Sequence, residues 1–119
     1  MITSEKAKEL APIVLRLGMT AVFMWFGVSQ LVNAAPWTSL VPEWATGIFG
    51  MSAVTVVHLN GAFEVIGAIL LGTGFYISWV AGLLALHLFV ITTHLGITPI
   101  GVRDFGLSFA TLAVALFGE

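Results

Sequence analysis

Apolar residues fill four stretches of this chain, and a small number of polar positions interrupt them in a regular way. The first run extends from Leu10 to Val32 and is broken by Arg16 and Gln30. It exceeds the roughly 20 helical residues that cross a hydrocarbon core. Ser4 is a suitable N-cap for this helix and Glu5 suits its first turn. Pro12 falls inside it, where proline kinks a helix or marks a later start. Val32-Asn33-Ala34 loosely fits a signal cleavage site, but the run is too long for a signal h-region. A second span is predicted over about 54–71, closed by the turn signal Gly72-Thr73-Gly74, and a third over about 76–94. The link between them is so short that these two helices should be antiparallel neighbours. A fourth span, 104–118, is expected to start at Asp104 as N-cap and to end at Gly118-Glu119. At 1.5 Å per residue it covers only about 22 Å, the shortest of the four.

Between spans one and two lies Asn33 to Met51, which carries Pro36, Trp37, Pro42 and Trp44. Tryptophan favours the membrane interface, and Pro42 is placed for position N1 of a short helix. The segment therefore reads as an interfacial loop with a turn or two of surface helix. The fold class expected is all-α, an integral membrane four-helix bundle forming one transmembrane domain over 1–119. Lys6, Lys8 and Arg16 cluster at the start of span one, while the loops after spans one and two carry no positive charge. By the positive-inside rule both termini face the cytoplasm.

The polar positions recur with helical spacing. Arg16, Thr20, Phe23, Gly27 and Gln30 share one stripe on span one, and Asn60, Glu64, Gly67 and Leu71 share one on span two. Val80, Leu84, His87, Ile91 and His94 share one on span three. Polar groups are costly against lipid, so these stripes should turn toward one another. Small residues offer close helix contacts: Gly61, Ala68 and Gly72 on span two, Ala81 and Ala85 on span three, and Gly106, Ala110 and Ala113 on span four.

Composition then fixes the solvent. Of 119 residues 59% are hydrophobic and 8% charged, against about 25% charged in ordinary soluble domains. So few charges cannot cover a soluble globule, and the partner that composition demands is the lipid bilayer. The net charge of -2 provides no basic patch and argues against nucleic acid. The chain has no cysteine, which excludes disulfides, thiolate nucleophiles and cysteine-ligated metal centres.

Glu64 is the sharpest chemical signal. A carboxylate in mid-membrane costs several kcal/mol, to an order of magnitude, unless it is neutralised or paired. It reads either as a proton-handling or ligand-binding group, or as helix glue. His87 lies at similar depth on the neighbouring helix, and a contact between Glu64 and His87 is the expectation. Gln30, Asn60, His94, Arg103 and Asp104 fall in the outer half and are expected to form a polar cluster there. His87 and His94 are separated by about 10 Å along one helix and cannot be opposite axial ligands of one haem, and His58 is on another face from Glu64. No metal site is assigned. Asp104 reads as a cap with Arg103 solvated or bonded to the cluster, or the two form a clamp for an anionic or quinone-like headgroup. Arg16 reads as a snorkelling arginine, and Phe23, Trp25 and Phe26 as packing or lipid-facing bulk. No nucleophile elbow, phosphate loop or zinc-protease motif is present.

These landmarks together resemble the DoxX family of small four-helix membrane proteins. The matching stretches are Leu15-Arg16-Leu17-Gly18 and Trp25-Phe26-Gly27-Val28-Ser29-Gln30-Leu31 in span one, and Asn60-Gly61-Ala62-Phe63-Glu64 with Gly67 and Gly72-Thr73-Gly74 in span two. In span four the match is Arg103-Asp104-Phe105-Gly106-Leu107. One departure is Gln30, where many family members carry lysine. The resemblance implies a bacterial or archaeal cytoplasmic-membrane protein. It also implies a quinone-linked setting, since some relatives are subunits of thiosulfate:quinone and terminal quinol oxidase assemblies. The expected function is an accessory or anchor subunit of such a redox complex, non-catalytic in itself. Its partner would be a redox protein or a second copy of the chain, and quinone is the only cofactor suggested. The alternative is a stand-alone binder or transporter of a small lipophilic or acidic molecule, with Glu64 and His87 as its polar core. A third reading, a quinone-reducing enzyme in its own right, lacks any cofactor motif.

Overall fold

The structure, a computed structural model, describes residues 3–118 except the side chain of Phe49. Among them the order is α1 (Ser4–Val32), a 3-10 helix (Ala35–Leu40), α2 (Glu43–Phe49), α3 (Ala53–Thr73), α4 (Ile77–Leu95) and α5 (Pro99–Phe117). Four of these, α1, α3, α4 and α5, are long and apolar enough to cross a membrane and form a four-helix bundle.

The helix starts follow local capping chemistry. Thr3, not Ser4, caps α1, its side chain accepting from the Lys6 amide at 3.1 Å. The helix continues through Pro12, so proline marks no later start. Pro42 is the N-cap of α2 rather than N1. Ser52 caps α3 by accepting from Thr55 N.

The largest difference is at α5. It begins at Pro99, five positions before Asp104, with the Thr98 hydroxyl accepting from Gly101 N at 3.0 Å. Threonine followed by proline is itself a good start, since the cap supplies an acceptor and proline fits the first helical turn. Asp104 therefore caps nothing and sits one turn inside the helix. At 19 residues α5 spans about 28 Å, so it is not a short span. The expected end at Glu119 lies outside the described residues.

α1 lies along α3 and α4 lies along α5, while α3 and α4 meet far more sparsely despite their tight connection at Gly74. The α1–α3 contact is set by two glycines. A Cβ added to Gly27 would lie 2.8 Å from Gly61 O, and one added to Gly61 would lie 2.8 Å from Gly27 O. The backbones thus touch where each helix lacks a side chain, as lipid-embedded helices require in the absence of a hydrophobic drive between them. The stripes expected on α1 and α3 face inward: Phe23, Gly27 and Gln30 are buried, as are Glu64, Gly67 and Leu71.

On α4 the buried positions are Ala81, Leu84, Ala85 and Leu88, so the helix is rotated slightly from the predicted stripe. His87 falls at its edge and His94 outside it. On α5 the small-residue face expected at Gly106, Ala110 and Ala113 is not the buried one. Gly101, Asp104, Ser108, Thr111 and Val114 face inward instead, and Gly106 has open space at its Cβ. The hydroxyls of Ser108 and Thr111 are spent on backbone carbonyls of their own helix, Phe105 O and Leu107 O. These two residues can therefore sit among apolar neighbours.

Arg16 does not snorkel. Its Nη1 crosses to α3 and donates to Leu71 O and, at 3.3 Å, to Gly72 O. These are carbonyls of the last turn of α3, which have no partner within the helix. A cation at that end also complements the helix dipole.

Candidate functional site

Gln30 projects from the last turn of α1, one turn beyond Gly27, and meets α3 where Gly61 lets the helices close. Its Nε2 donates to Glu64 Oε1 at 2.8 Å. Asn60 Nδ2, one turn before Glu64 on α3, donates to Gln30 Oε1 at 2.6 Å and to Glu64 Oε1 at 2.9 Å. The three side chains close a ring of hydrogen bonds. Glu64 and Gln30 are only 2% and 4% exposed. A carboxyl held by two amide donors is stabilised deep in a bundle where alone it would be costly.

No direct hydrogen bond joins Glu64 to His87, the pair expected to meet directly or through one water. His87 lies on the outer edge of α4, its ring 4.9 Å from that of Phe63 and tilted against it. Its Nε2 is buried and has no hydrogen-bond partner among the described residues. The reason is angular: Phe63 and Glu64 are successive helical residues about 100° apart, and α4 presents His87 to the Phe63 side. His94 is exposed on the same helix and joins no cluster.

From α5, Arg103 and Asp104 arrive at the same level as the ring. Arg103 Nε and Nη2 both donate to Asp104 Oδ1, at 3.0 and 2.9 Å. The guanidinium also stands over the Phe26 ring, 4.9 Å from its centroid. Asp104 is buried while the Arg103 side chain is 43% exposed, so the pair spans from the interior to the surface. Phe26 meets Trp37 edge-on at 5.7 Å, which ties the connection between α1 and α3 to the bundle.

A cavity of about 110 Å³ joins these elements. Gln30, Asn60, Glu64, Arg103 and Asp104 are its polar lining, and Phe26, Trp37, Leu88 and Ile91 are among its apolar lining. Glu64 Oε2 and Asp104 Oδ2 take no hydrogen bond from the described residues, and one amide hydrogen of Gln30 Nε2 is also free. The site can thus both accept and donate.

Of the seven residues singled out in the sequence, five meet at this cavity, and His87 and His94 do not. Phe26 and Trp37 were not expected there. Phe26 lies one helical turn before Gln30 and so shares its face, which is a signal readable from spacing. Nothing local to Trp37 reveals that it folds back over the cavity. The expected lipid-facing or packing roles hold for its neighbours: Phe23 is fully buried in the core and Trp25 is 64% exposed. His58, the other histidine considered, is exposed on α3.

No curated protein and no solved structure matches the chain. A family model does: the one described as DoxX aligns with residues 11–96, from α1 to the end of α4, leaving Arg103 and Asp104 beyond the matched stretch. With four membrane-spanning helices and that match over most of its length, this multi-pass membrane protein belongs to the DoxX family.

Proposed function

We propose that the chain is an accessory membrane subunit of a quinone-linked redox complex, and that its contribution is a headgroup site in the cavity between α1, α3, α4 and α5. The observation that carries this reading is that the ring of Gln30, Asn60 and Glu64 and the Arg103–Asp104 pair line one cavity together with apolar side chains. A quinone-type head is a flat ring with an oxygen at each of two opposite edges, and it changes from acceptor to donor on reduction. The free Gln30 hydrogen and the Arg103 guanidinium suit the acceptor form, and the free oxygens of Glu64 and Asp104 suit the donor form. Phe26 and Trp37 offer ring faces against which a flat head stacks. The membrane is the cytoplasmic membrane of a bacterium or archaeon, with both termini inside, and the partner is a redox protein.

The second reading, a stand-alone binder of a small lipophilic or acidic molecule, draws on one observation: the cavity sets the amides of Gln30 and Asn60 and the guanidinium of Arg103 beside the apolar Phe26, Leu88 and Ile91. Copurification separates the two, because an obligate subunit brings a redox protein in stoichiometric amount from native membranes. For the site itself, a variant retaining only Trp37 is placed in nanodiscs and titrated with a short-tailed benzoquinone. Saturable quenching is expected, weakened about tenfold or more by Glu64→Leu or Arg103→Ala, as loss of one good polar contact implies. Quenching that never saturates, or that ignores both substitutions, overturns the headgroup site.

A further inference from the structure

The seam between α3 and α4 is loosely packed, unlike the α1–α3 and α4–α5 contacts, and it holds a second cavity of about 90 Å³. Ile66, Gly67 and Leu70 line it from α3, and Val80 and Leu83 from α4. Every lining residue is apolar, and the groove opens toward lipid, with Ile66 and Leu83 59% and 54% exposed. Because the helices are antiparallel, this groove continues the same seam on which Glu64 and Leu88 line the polar cavity. Phe63 and His87 stand at the junction, ring against ring. Phe63 is a wall of the groove, and its neighbour Glu64 is a wall of the polar cavity.

We propose that this groove holds the apolar tail of the lipophilic ligand whose head lies in the polar cavity. The Phe63–His87 pair is then the lateral partition the ligand passes on its way in from the bilayer. The inference rests on the headgroup reading above and adds where the rest of the molecule goes.

Three features support it. In hydrocarbon an apolar groove has no hydrophobic advantage over lipid. Its occupant is therefore selected by attachment, and a tail tethered to a bound head is present at high effective concentration. Gly67 lets Leu84 seat against α3 as the floor of the groove, since a Cβ there would meet Leu84 Cδ1 and Cδ2 at 3.0 Å. Lastly, a buried nitrogen without a partner is costly and calls for a reason. His87 Nε2 is such a nitrogen, on a ring that lies against Phe63 where the two cavities adjoin, and a polar head moving along the seam would supply its partner.

The test uses a benzoquinone with a decyl-length tail bearing a terminal diazirine, photolysed with the full chain in nanodiscs and mapped by peptide mass spectrometry. Labelling is expected at Ile66, Leu70 and Leu83, enriched about fivefold over lipid-facing positions such as Val14, Val102 and Leu112. Excess short-tailed benzoquinone should abolish the enrichment by displacing the head. In the double variant Ile66→Phe/Leu83→Phe, which fills a lipid-facing groove without touching the polar cavity, the enrichment should disappear while Trp37 quenching by the short-tailed compound is unchanged. Even labelling around the bundle, or enrichment that survives the double substitution, overturns the tail groove and leaves the headgroup site standing. Loss of saturable quenching in the parent protein overturns the headgroup site, and the tail groove with it.

Discussion

Replacing Gly61 by alanine adds one methyl group at the closest approach of two helices. That methyl would lie 2.8 Å from Gly27 O, 3.0 Å from Gln30 Cβ and 3.2 Å from Leu31 Cγ. Carbon contacts settle at about 3.5–4.0 Å, so α1 and α3 must part by on the order of half an ångström. The Gln30–Glu64 bond at 2.8 Å then stretches toward the limit of roughly 3.2 Å. Overpacking of this kind costs about 1–3 kcal/mol, and each interhelical hydrogen bond weakened in lipid adds up to about 1–2 kcal/mol. The better helix propensity of alanine offsets up to about 1 kcal/mol. A net loss of roughly 2 kcal/mol is expected, about 30-fold in the folding equilibrium. Unfolding in mixed micelles, titrated with sodium dodecyl sulfate and followed by far-ultraviolet circular dichroism, reads this directly. Gly18→Ala and Gly106→Ala are the controls, since each glycine lies within a long helix with open space where the methyl would go. Gly27→Ala should resemble Gly61→Ala, and the double variant should cost less than the sum, because helices already apart no longer clash. If Gly61→Ala is as harmless as the two controls, the backbone contact does not position the polar ring and the argument fails.

Glu64→Gln should retain stability, because an amide oxygen still accepts from Gln30 and Asn60, whereas Glu64→Ala should cost about 1–3 kcal/mol in the same unfolding assay, by leaving Gln30 Nε2 without its acceptor and Asn60 with Gln30 alone. Arg16→Met should destabilise the protein by about 1–3 kcal/mol and raise hydrogen exchange at the end of α3, whose carbonyls at Leu71 and Gly72 lose their donor. Thr98→Ala should cost about 0.5–2 kcal/mol as a lost N-cap, while Asp104→Ala should leave the start of α5 unchanged in exchange experiments; faster exchange confined to Gly106 and Leu107 in the Asp104 variant would restore Asp104 as the cap. Reporter fusions at the two ends should both read cytoplasmic, and an external signal from either would reverse the topology inferred from Lys6, Lys8 and Arg16.

The sequence determines that this chain lives in lipid and crosses it with four helices, because hydrophobic run length is a one-dimensional property. It also determines which faces of α1 and α3 turn inward, because Gln30, Asn60 and Glu64 are costly anywhere else and helical spacing puts them in line with Gly27 and Gly67. The tertiary structure decided who meets whom. Capping at Thr98 rather than Asp104 moved Arg103 and Asp104 into a helix, where the roughly 100° between successive residues buries the aspartate and leaves the arginine over Phe26. The tight link between α3 and α4 makes them antiparallel neighbours, yet the glycine contact joins α3 to α1, so Glu64 found amide partners there and His87 was left against Phe63. Spacing along one helix reports direction to within a face. The choice between neighbouring partners depends on a rotation of a few tens of degrees and on backbone approach at single glycines, which appear only when the helices are assembled.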